Sequence, residues 1–236
     1  MSIARKLYWD GIAPSGDHFE HYAEVEAHLK TLTIHDGHVP LRGNGQSGSW
    51  DSMLSRPVVC PPLVGGTITA PHFLEFALSF TDDMEEYLGG FPYLYSVHSF
   101  WTRPSNDRMN EDIQVWHRDR DADHFLVLFM FGSPVMEIED GPHQFQTRTH
   151  RGVQGGHIEF MYGRAGDCFI ADTRGLHMGM RPTRGQRLIH WARWCLGTEP
   201  QSYAWDKMAP IAASQVPIAR PDERLRESTK LLIDWN

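Results

Sequence analysis

The sequence predicts a mainly β domain with flanking helices: a double-stranded β-helix of the jelly-roll, cupin-like type. From Phe91 to Trp194 the chain consists of short segments of alternating apolar and polar residues, separated by Gly, Pro and Asp. Alternation over short, turn-bounded segments is typical of an all-β barrel or jelly roll. Two amphipathic helical patterns precede this region, within residues 15–90. We therefore expect helices that buttress one face of a β core.

The first helical pattern follows a capping-box-like pair, Asp17 and Glu20, which predicts where that helix begins. The second pattern is stronger, because Thr69 is a candidate cap, Pro71 suits a first turn and Gly89-Gly90 is a stop signal. Each pattern carries one apolar stripe, which predicts a face turned to the core. The stripes are Phe19, Tyr22, Val25, Leu29 and Leu32 in the first helix, and Phe73, Phe76, Ala77, Phe80, Met84, Tyr87 and Leu88 in the second.

The length of 236 residues fits one domain with a substantial core. We predict a single domain over 1–236, with helical support at 15–90, a β-helix core at about 91–196 and a C-terminal tail at 197–236. The tail is irregular from Pro200 to Pro221. Residues 221–235 predict a last helix with Leu225, Leu232 and Trp235 facing inward.

Composition narrows the classes of protein. The chain has no run of 18 apolar residues and no apolar signal core near Met1, so we expect neither a membrane span nor secretion. Three widely spaced cysteines, Cys60, Cys168 and Cys195, fit reduced thiols in a cytoplasmic protein. A monomer or a homodimer is expected. The net charge of −8 disfavours nucleic acid as a partner. Arginine outnumbers lysine 18 to 4, a pattern compatible with a small anionic substrate.

A candidate metal motif lies at His117 and Asp119. Two residues apart on an extended strand, their side chains project from the same face, so both can meet one metal ion. A second imidazole, His177, completes two nitrogen ligands and one carboxylate, the facial triad of non-haem Fe(II) oxygenases. With 14 histidines and 30 acidic residues, about two His-x-Asp/Glu triplets arise by chance, and three occur.

The other two triplets lack support. His18-x-Glu20 lies in a segment with helical signals, where this spacing separates the side chains. His157-x-Glu159 lies in a plausible strand, but its flanks carry no further pattern. By contrast, His177 is followed by Gly179, whose missing side chain leaves space beside the metal, and by Arg187, which opens an alternating strand. If Arg187 points into the barrel, its guanidinium needs an anion such as a carboxylate; on periodicity alone, an arginine at the rim facing water stays open.

Two other motif matches are rejected. His117-Arg118-Asp119 begins like a kinase catalytic loop, but that loop requires Asn where this chain has His124. Residues 43–48 match the glycine pattern of dinucleotide-binding loops, yet no strand-turn-helix unit fits around them. We interpret this segment as a flexible loop and a candidate lid.

Residues from about Tyr93 to Trp194 resemble the phytanoyl-CoA dioxygenase family of Fe(II)/2-oxoglutarate oxygenases. The resemblance depends on the order and spacing of several short motifs. The chain departs from the family pattern at the closing turn, which reads Thr-Arg-Thr-His instead of a Pro-Gly-Ser-His type sequence. Its pieces are Trp116-His-Arg-Asp119, the apolar strand 125–131, Glu139-Asp-Gly-Pro-His143 leading to Thr149-His150-Arg151, Gly166-Asp167, His177-x-Gly179 and Arg187.

The resemblance implies iron ligation by His117, Asp119 and His177, and a grip of Arg187 on the distal carboxylate of 2-oxoglutarate. Fe(II), 2-oxoglutarate and O2 are then the expected cofactors, and hydroxylation or another oxidation of a small molecule, with release of succinate and CO2, is the expected reaction. Halogenating relatives replace the carboxylate matching Asp119, so its retention argues for oxygenation.

Several further residues are candidates for the pocket. Gln114 is a cofactor-binding candidate that needs a bulge to reach the site, because alternation turns it away from the face of His117. Substrate candidates are Trp101, Arg103, His150 and Arg151, while the remaining histidines, among them His98, His124, His143 and His190, are expected to be structural. Two rival classes stay open: a cupin-type metal-dependent isomerase or lyase, which has no need of Arg187, and a non-catalytic small-molecule-binding jelly roll.

Overall fold

The structure is a computed structural model that describes residues 1–37, 46–62, 65–105, 114–120, 125–197, 210–218 and 220–236. Five α-helices are present in these ranges: α1 Ile3–Asp10, α2 Tyr22–Lys30, α3 Phe73–Leu78, α4 Thr81–Leu88 and α5 Glu223–Thr229. The strands are β1 Ile12–His18, β2 Ile34–Asp36, β3 Ser47–Gly48, β4 Val58–Cys60, β5 Pro92–Thr102, β6 Phe125–Phe131, β7 His143–Gln146, β8 Ile158–Met161, β9 Asp167–Ala171, β10 His177–Gly179, β11 Arg187–Leu196, β12 Ile211–Ala212 and β13 Ile233–Asp234.

Two antiparallel sheets form the core of the fold. The larger sheet has eight strands in the order β1-β9-β6-β11-β5-β4-β2-β3, and the smaller sheet has the order β10-β7-β8. An antiparallel bridge between His117 and His177 extends the smaller sheet beyond β10. This arrangement confirms the predicted mainly β jelly roll with flanking helices.

The large sheet buries both of its faces. Its outer face carries Leu94, Trp101 and Leu188, which belong to one apolar cluster with Phe73 of α3 and Met84 of α4. Burial of each such side chain contributes about 1.5–3 kcal/mol. The helices therefore buttress one face of the sheet, as the helical patterns predicted.

The inner face of the large sheet turns toward the small sheet. Phe129 of β6, Phe169 of β9 and Trp191 of β11 form one cluster with Phe145 of β7. The rings of Phe129 and Phe169 stack with centroids 4.9 Å apart. Because side chains alternate along a strand, residues two apart on these strands share this interior, and it is this interior that holds the candidate site.

The predicted start of the first long helix was wrong. Residues Pro14 and His18 pair with β9, so Asp17 lies in a strand and cannot cap a helix. Helix α2 instead begins at Tyr22, after His21, whose side chain makes no capping hydrogen bond. Strand pairing thus outweighs the local capping signal. A preceding helix, α1, is capped by the Ser2 hydroxyl and was not predicted.

The second predicted helix is two helices, α3 and α4. Thr69 does not cap α3, since its hydroxyl donates to the carbonyls of Gly65 and Gly66 inside a 3-10 turn. The chain breaks around Ser79, whose amide donates back to the preceding turn, before α4 begins at Thr81. The predicted stop at Gly89 is confirmed: it adopts a left-handed φ of 74° and closes α4.

The tail contains a shorter helix than expected. Helix α5 ends at Thr229, so Leu232 and Trp235 pack on the core from beyond its last turn, while Leu225 lies within it. In the described ranges, no helix has the length and apolarity needed to cross a membrane. Residues 43–45 of the predicted loop and candidate lid at 43–48 lie outside those ranges, as does His124, whereas Ser47 and Gly48 form β3.

Candidate metal centre

Two backbone segments, one at His117 and one at His177, run side by side at the edge of the small sheet. The amide of each histidine donates to the carbonyl of the other, at 3.0 and 3.1 Å. The amide of Asp119 donates to the carbonyl of Thr173 at 2.9 Å, which continues the pairing. Backbone pairing therefore fixes all three candidate ligands relative to one another before any metal binds.

The side chains of these residues converge. Nε2 of His117 lies 3.7 Å from Oδ1 of Asp119, and Nε2 of His177 lies 3.8 Å from Oδ2 of the same carboxylate. The two imidazole rings have centroids 4.2 Å apart. One ligand atom from each residue lies within 4.8 Å of the others, a grouping that suits a single ion.

Both imidazoles are held in the tautomer that a metal requires. Nδ1 of His117 lies 2.7 Å from the carbonyl of Val115, and Nδ1 of His177 lies 2.9 Å from the carbonyl of Gly175. Because a carbonyl only accepts, Nδ1 carries the proton in each ring. Nε2 then keeps a lone pair directed toward Asp119, as in metal sites whose ligands are oriented by an outer hydrogen bond.

The electrostatic surroundings favour the deprotonated forms of two of these ligands, His177 and Asp119. Burial lowers the pKa of His177 to about 4, so its imidazole is neutral at physiological pH. Burial alone would raise the pKa of Asp119, but the nearby His177 and Arg193 outweigh it and lower this pKa below its usual value. Two neutral nitrogens and one anionic oxygen are the donor set that divalent first-row metals bind.

Arg187 points into the barrel, as the anion-binding interpretation requires. Its side chain is almost fully buried, and Nη1 donates to the carbonyls of Gly141 and Met180. Burial lowers the pKa of Arg187 to about 10, which still leaves it charged near neutral pH. Within the described ranges, no carboxylate lies within 4.0 Å of the guanidinium, and Nε has no hydrogen-bond partner. A buried, charged guanidinium without a carboxylate partner favours binding of an anion.

Gly179 lies beside Arg187 and shares a face of β10 with the candidate ligand His177. A Cβ atom at Gly179 would sit 3.2 Å from Nη2 of Arg187 and 3.1 Å from Nε2 of His143. The lack of a side chain therefore keeps open the space between these two nitrogen groups. The sequence predicted the open space but not the histidine on its far side.

His143 was expected to be structural, yet it shares a small cavity with His177. The cavity lies between the two sheets and is otherwise mainly apolar, with Phe129, Phe145 and Phe169 among its walls. The ring centroid of His143 lies 5.0 Å from that of Phe129. Sequence reasoning missed it because only the pairing of β7 with β10 brings His143 opposite Gly179.

Arg193 is a second buried cation that sequence reasoning did not place at the site. It stands six residues after Arg187 on β11, so alternation turns both side chains to the interior. Its guanidinium lies over the ring of Trp191, 4.8 Å from the centroid, and its charge helps to lower the pKa of Asp119. The sequence signal that could have identified Arg193 is its even spacing from Arg187 along β11, which places both side chains on one face.

Gln114 is fully buried, and its amide oxygen accepts from Arg181 at 3.2 Å from Nε and 2.7 Å from Nη2. The structure thus turns this oxygen toward Arg181, and a cofactor-binding role for Gln114 has no support in these contacts.

Trp101 and Arg103 are not brought to the centre. Thr102 pairs with Arg187 and shares its inward face, so the neighbouring Trp101 turns to the helix-covered face, where it packs on Trp50 at 4.6 Å. Arg103 also lies over Trp50, at 5.1 Å, and donates to backbone carbonyls. The face assignment follows from strand register, which periodicity alone does not supply.

His150 and Arg151 pack against the amino-terminal helix. Nε2 of His150 lies 3.3 Å from the carbonyl of Tyr8, and Arg151 lies over the rings of Tyr8 and Trp9 at 4.4 and 5.5 Å. The structure therefore does not bring either side chain into the cluster of metal ligands. Their role in substrate binding stays a prediction without a supporting contact.

The decoy triplets lie elsewhere. His157, just before β8, contacts Glu159 of that strand at 3.2 Å, and His18 pairs with Asp167 at 2.9 Å at the end of β1. His18 was discarded as helical, which was wrong, although no metal-binding group includes it in the described ranges. A further group of His21, Glu24 and His72 has three exposed side chains.

Comparisons with known proteins show similarity at the level of the fold. No family model matches the chain, and no curated protein matches its sequence. Among solved structures, SnoN, a non-heme α-ketoglutarate-dependent epimerase from nogalamycin biosynthesis, has a TM-score of 0.61 and 17% identity over 88% of both chains. SnoK, a carbocyclase of the same biosynthesis, has a TM-score of 0.58 and 13% identity over 81% of this chain and 82% of its own.

HygX from Streptomyces hygroscopicus, solved with nickel and 2-oxoglutarate, has a TM-score of 0.56 and 12% identity over 81% of this chain and 85% of its own. These identities are low, so the similarity establishes that the chain has the fold of these enzymes.

Proposed function

We propose that this protein is an Fe(II)/2-oxoglutarate-dependent oxygenase that oxidises a small molecule and releases succinate and CO2. The observation that carries the proposal is that strand β10 brings together a His-Asp-His cluster, through His177, and the buried guanidinium of Arg187, which lies beside Gly179. A metal cluster alone fits many enzymes. A charged, buried arginine with no carboxylate partner in the described ranges fits a site for an anionic co-substrate.

The residues present fit both groups. His117, Asp119 and His177 would hold Fe(II), since their ligand atoms already converge. The lowered pKa values of His177 and Asp119 also favour the forms of these two residues that bind a metal. Arg187 would hold the distal carboxylate of 2-oxoglutarate, whose fork geometry matches that of the guanidinium. When bound, Fe(II) and 2-oxoglutarate supply the oxidation of an unactivated C–H bond by dioxygen.

The protein itself supplies position and a dry interior. The carbonyls of Val115 and Gly175 keep the two imidazoles oriented, and the paired backbone keeps them at a fixed separation. The aromatic rings of Phe129 and Phe169 line the interior beside His177 and give it an apolar wall. A water-poor interior strengthens the attraction between Arg187 and a bound carboxylate.

The similar structures support a small-molecule substrate of natural-product type. SnoN was solved in complex with Fe3+, α-ketoglutarate and nogalamycin RO, and HygX with nickel, 2-oxoglutarate and hygromycin B. Because those neighbours include an epimerase and a carbocyclase, the proposed oxidation is not restricted to hydroxylation. Nogalamycin RO, hygromycin B and related metabolites are therefore the first compounds to screen.

The two rival classes of protein do not need a 2-oxo acid, whereas the proposed oxygenase does. A cupin-type isomerase or lyase would use the metal cluster alone, and a binding protein would turn over nothing. The test is anaerobic titration of the Fe(II)-loaded protein with 2-oxoglutarate, followed by the metal-to-ligand charge-transfer band that chelation of a 2-oxo acid produces. We expect the band, and then substrate-dependent succinate release in a metabolite screen. Absence of the band in the parent protein would overturn the oxygenase proposal.

A further inference from the structure

His143 occupies a defined position in the barrel interior. It is the first residue of β7, and in the antiparallel pairing of β7 with β10 it lies directly opposite Gly179. Residues opposite each other in such a pair project from the same face of the sheet. Because His177 is two residues before Gly179 on β10, the side chains of His143 and His177 share that face.

Two nitrogen groups flank the space beside Gly179. Nε2 of His143 would lie 3.1 Å, and Nη2 of Arg187 3.2 Å, from a Cβ atom at this glycine. They reach this point from different strands, β7 and β11, which belong to different sheets. A carboxylate has two oxygens, so the two groups can each serve one of them.

The imidazole of His143 is incompletely used by the protein. In the described part of the chain, its Nδ1 is buried and has no hydrogen-bond partner. Burial, with Arg187 and the two other histidines nearby, holds the pKa of His143 well below its usual value, so the ring is neutral. A neutral ring carries one N–H, and because no acceptor among the described residues lies at Nδ1, the N–H is assigned to Nε2, the nitrogen beside Gly179.

The aromatic wall fixes the orientation of this ring. Phe129 and Phe169 lie 5.0 and 6.1 Å from it, centroid to centroid. Such packing limits rotation of the imidazole and keeps Nε2 directed toward Gly179. A hydrogen bond from an oriented donor loses little conformational freedom on binding.

We propose that His143 is a second anchor for the co-substrate, donating from Nε2 to the distal carboxylate of a dicarboxylic 2-oxo acid beside Arg187. This inference rests on the proposed function, because it assigns a partner within the same site. It adds a specificity: the protein distinguishes 2-oxoglutarate from monocarboxylic 2-oxo acids through two side chains on two sheets. The arginine supplies the charge, and the histidine supplies a directed hydrogen bond.

The experiment compares two ligands on matched variants. 2-Oxoglutarate and 2-oxopentanoate have the same chain length and the same chelating end, and only the former carries the distal carboxylate. Each is titrated into anaerobic Fe(II)-loaded protein, with the dissociation constant read from the charge-transfer band and from calorimetry. The variants are His143→Phe, which keeps an aromatic ring without a donor, and His143→Gln, whose amide places a donor near the position of Nε2. The control is His157→Phe, at the exposed position just before β8.

We expect His143→Phe to weaken 2-oxoglutarate binding by about 10- to 100-fold, as for loss of a hydrogen bond to a charged group, and to leave 2-oxopentanoate binding unchanged. His143→Gln is expected to restore most of the selectivity, and His157→Phe to behave as the parent protein. If the affinity ratio of the two ligands is the same in His143→Phe as in the parent protein, the inference is overturned, whether both affinities fall or neither does. If the parent protein shows no band with either ligand, the proposed function itself fails.

Discussion

His117 and His177, sixty positions apart in sequence, are joined by two reciprocal backbone hydrogen bonds of 3.0 and 3.1 Å. The strand pairing that completes the small sheet is therefore the same interaction that sets the separation of two candidate metal ligands. Metal binding to His117, Asp119 and His177 would thus cross-link this pair and stabilise the edge of the small sheet. By linkage, any ion that binds only the folded state raises the free energy of unfolding.

Replacement of His117, Asp119 or His177 by Ala is expected to remove high-affinity Fe(II) binding, because the site has three protein anchors. The measurement is metal content after anaerobic loading and desalting, together with the metal-dependent shift in Tm. His157→Ala is the matched control, since it removes an exposed histidine from the His157-x-Glu159 triplet, which lies away from the candidate site. If His117→Ala retains one iron per chain, the ligand assignment is wrong.

Arg187→Met is expected to weaken 2-oxoglutarate binding by well over tenfold, since truncation of one partner of a buried ionic contact costs about 2–5 kcal/mol. Fe(II) affinity should be unchanged, because Arg187 contacts backbone carbonyls and not the ligands. Arg187→Lys should recover only part of the affinity, since an ammonium cannot reproduce two parallel hydrogen bonds. An unaltered titration curve for Arg187→Met would remove Arg187 from the co-substrate site.

Arg187→Met is expected to weaken co-substrate binding but not to destabilise the ligand-free fold. In the described ranges no carboxylate compensates the buried charge of Arg187, so its desolvation is a cost to the ligand-free fold. We expect the free energy of unfolding of ligand-free Arg187→Met to equal that of the parent protein or to exceed it by about 1 kcal/mol. Denaturant unfolding of metal-free protein measures this free energy. A large loss of stability would show that Arg187 is a structural residue.

Part of the site was predictable because it depends on local spacing. The two-residue spacing of His117 and Asp119 on extended backbone is enough to place both side chains on one face. Gly179 and Arg187 followed from the same alternation on β10 and β11. The fold class followed from the change from helical periodicity to strand periodicity near Phe91.

The other part depends on register, which a single sequence does not encode locally. His143 enters the site only because β7 aligns it with Gly179, and Trp101 leaves it because β5 aligns Thr102 with Arg187. A shift of one residue in either pairing would exchange the faces. The predicted start of the first helix was wrong for a related reason. Asp17 resembles a helix cap in sequence, but long-range pairing with β9 makes its segment a strand.

Gly89→Ala tests the confirmed end of α4. Gly89 has a φ of 74°, where an alanine is strained, and a Cβ atom there would meet no other atom within 4 Å. The expected cost is therefore that of the backbone conformation alone, about 1 kcal/mol, or roughly 2–4 °C in Tm for a chain of this size. Affinity for metal and 2-oxo acid should be unchanged. An unchanged Tm would mean that α4 can end in another conformation at little cost.

Gly179→Ala tests the space between the metal ligands and the two nitrogen groups. The new methyl group would lie 3.1 Å from His143 Nε2 and 3.2 Å from Arg187 Nη2. Neither neighbour moves easily, because Arg187 is held by two carbonyls and His143 packs against Phe129. Crowding of this kind costs about 1–3 kcal/mol, and a bound carboxylate competes for the same space.

We therefore expect Gly179→Ala to bind Fe(II) like the parent protein and to bind 2-oxoglutarate at least tenfold more weakly. Met178→Ala is the control on the same strand, since alternation turns Met178 to the other face. Anaerobic titration of both variants with 2-oxoglutarate decides the outcome. Parent-like affinity in Gly179→Ala would place the co-substrate away from Gly179, and would count against Arg187 and His143 as its joint anchors.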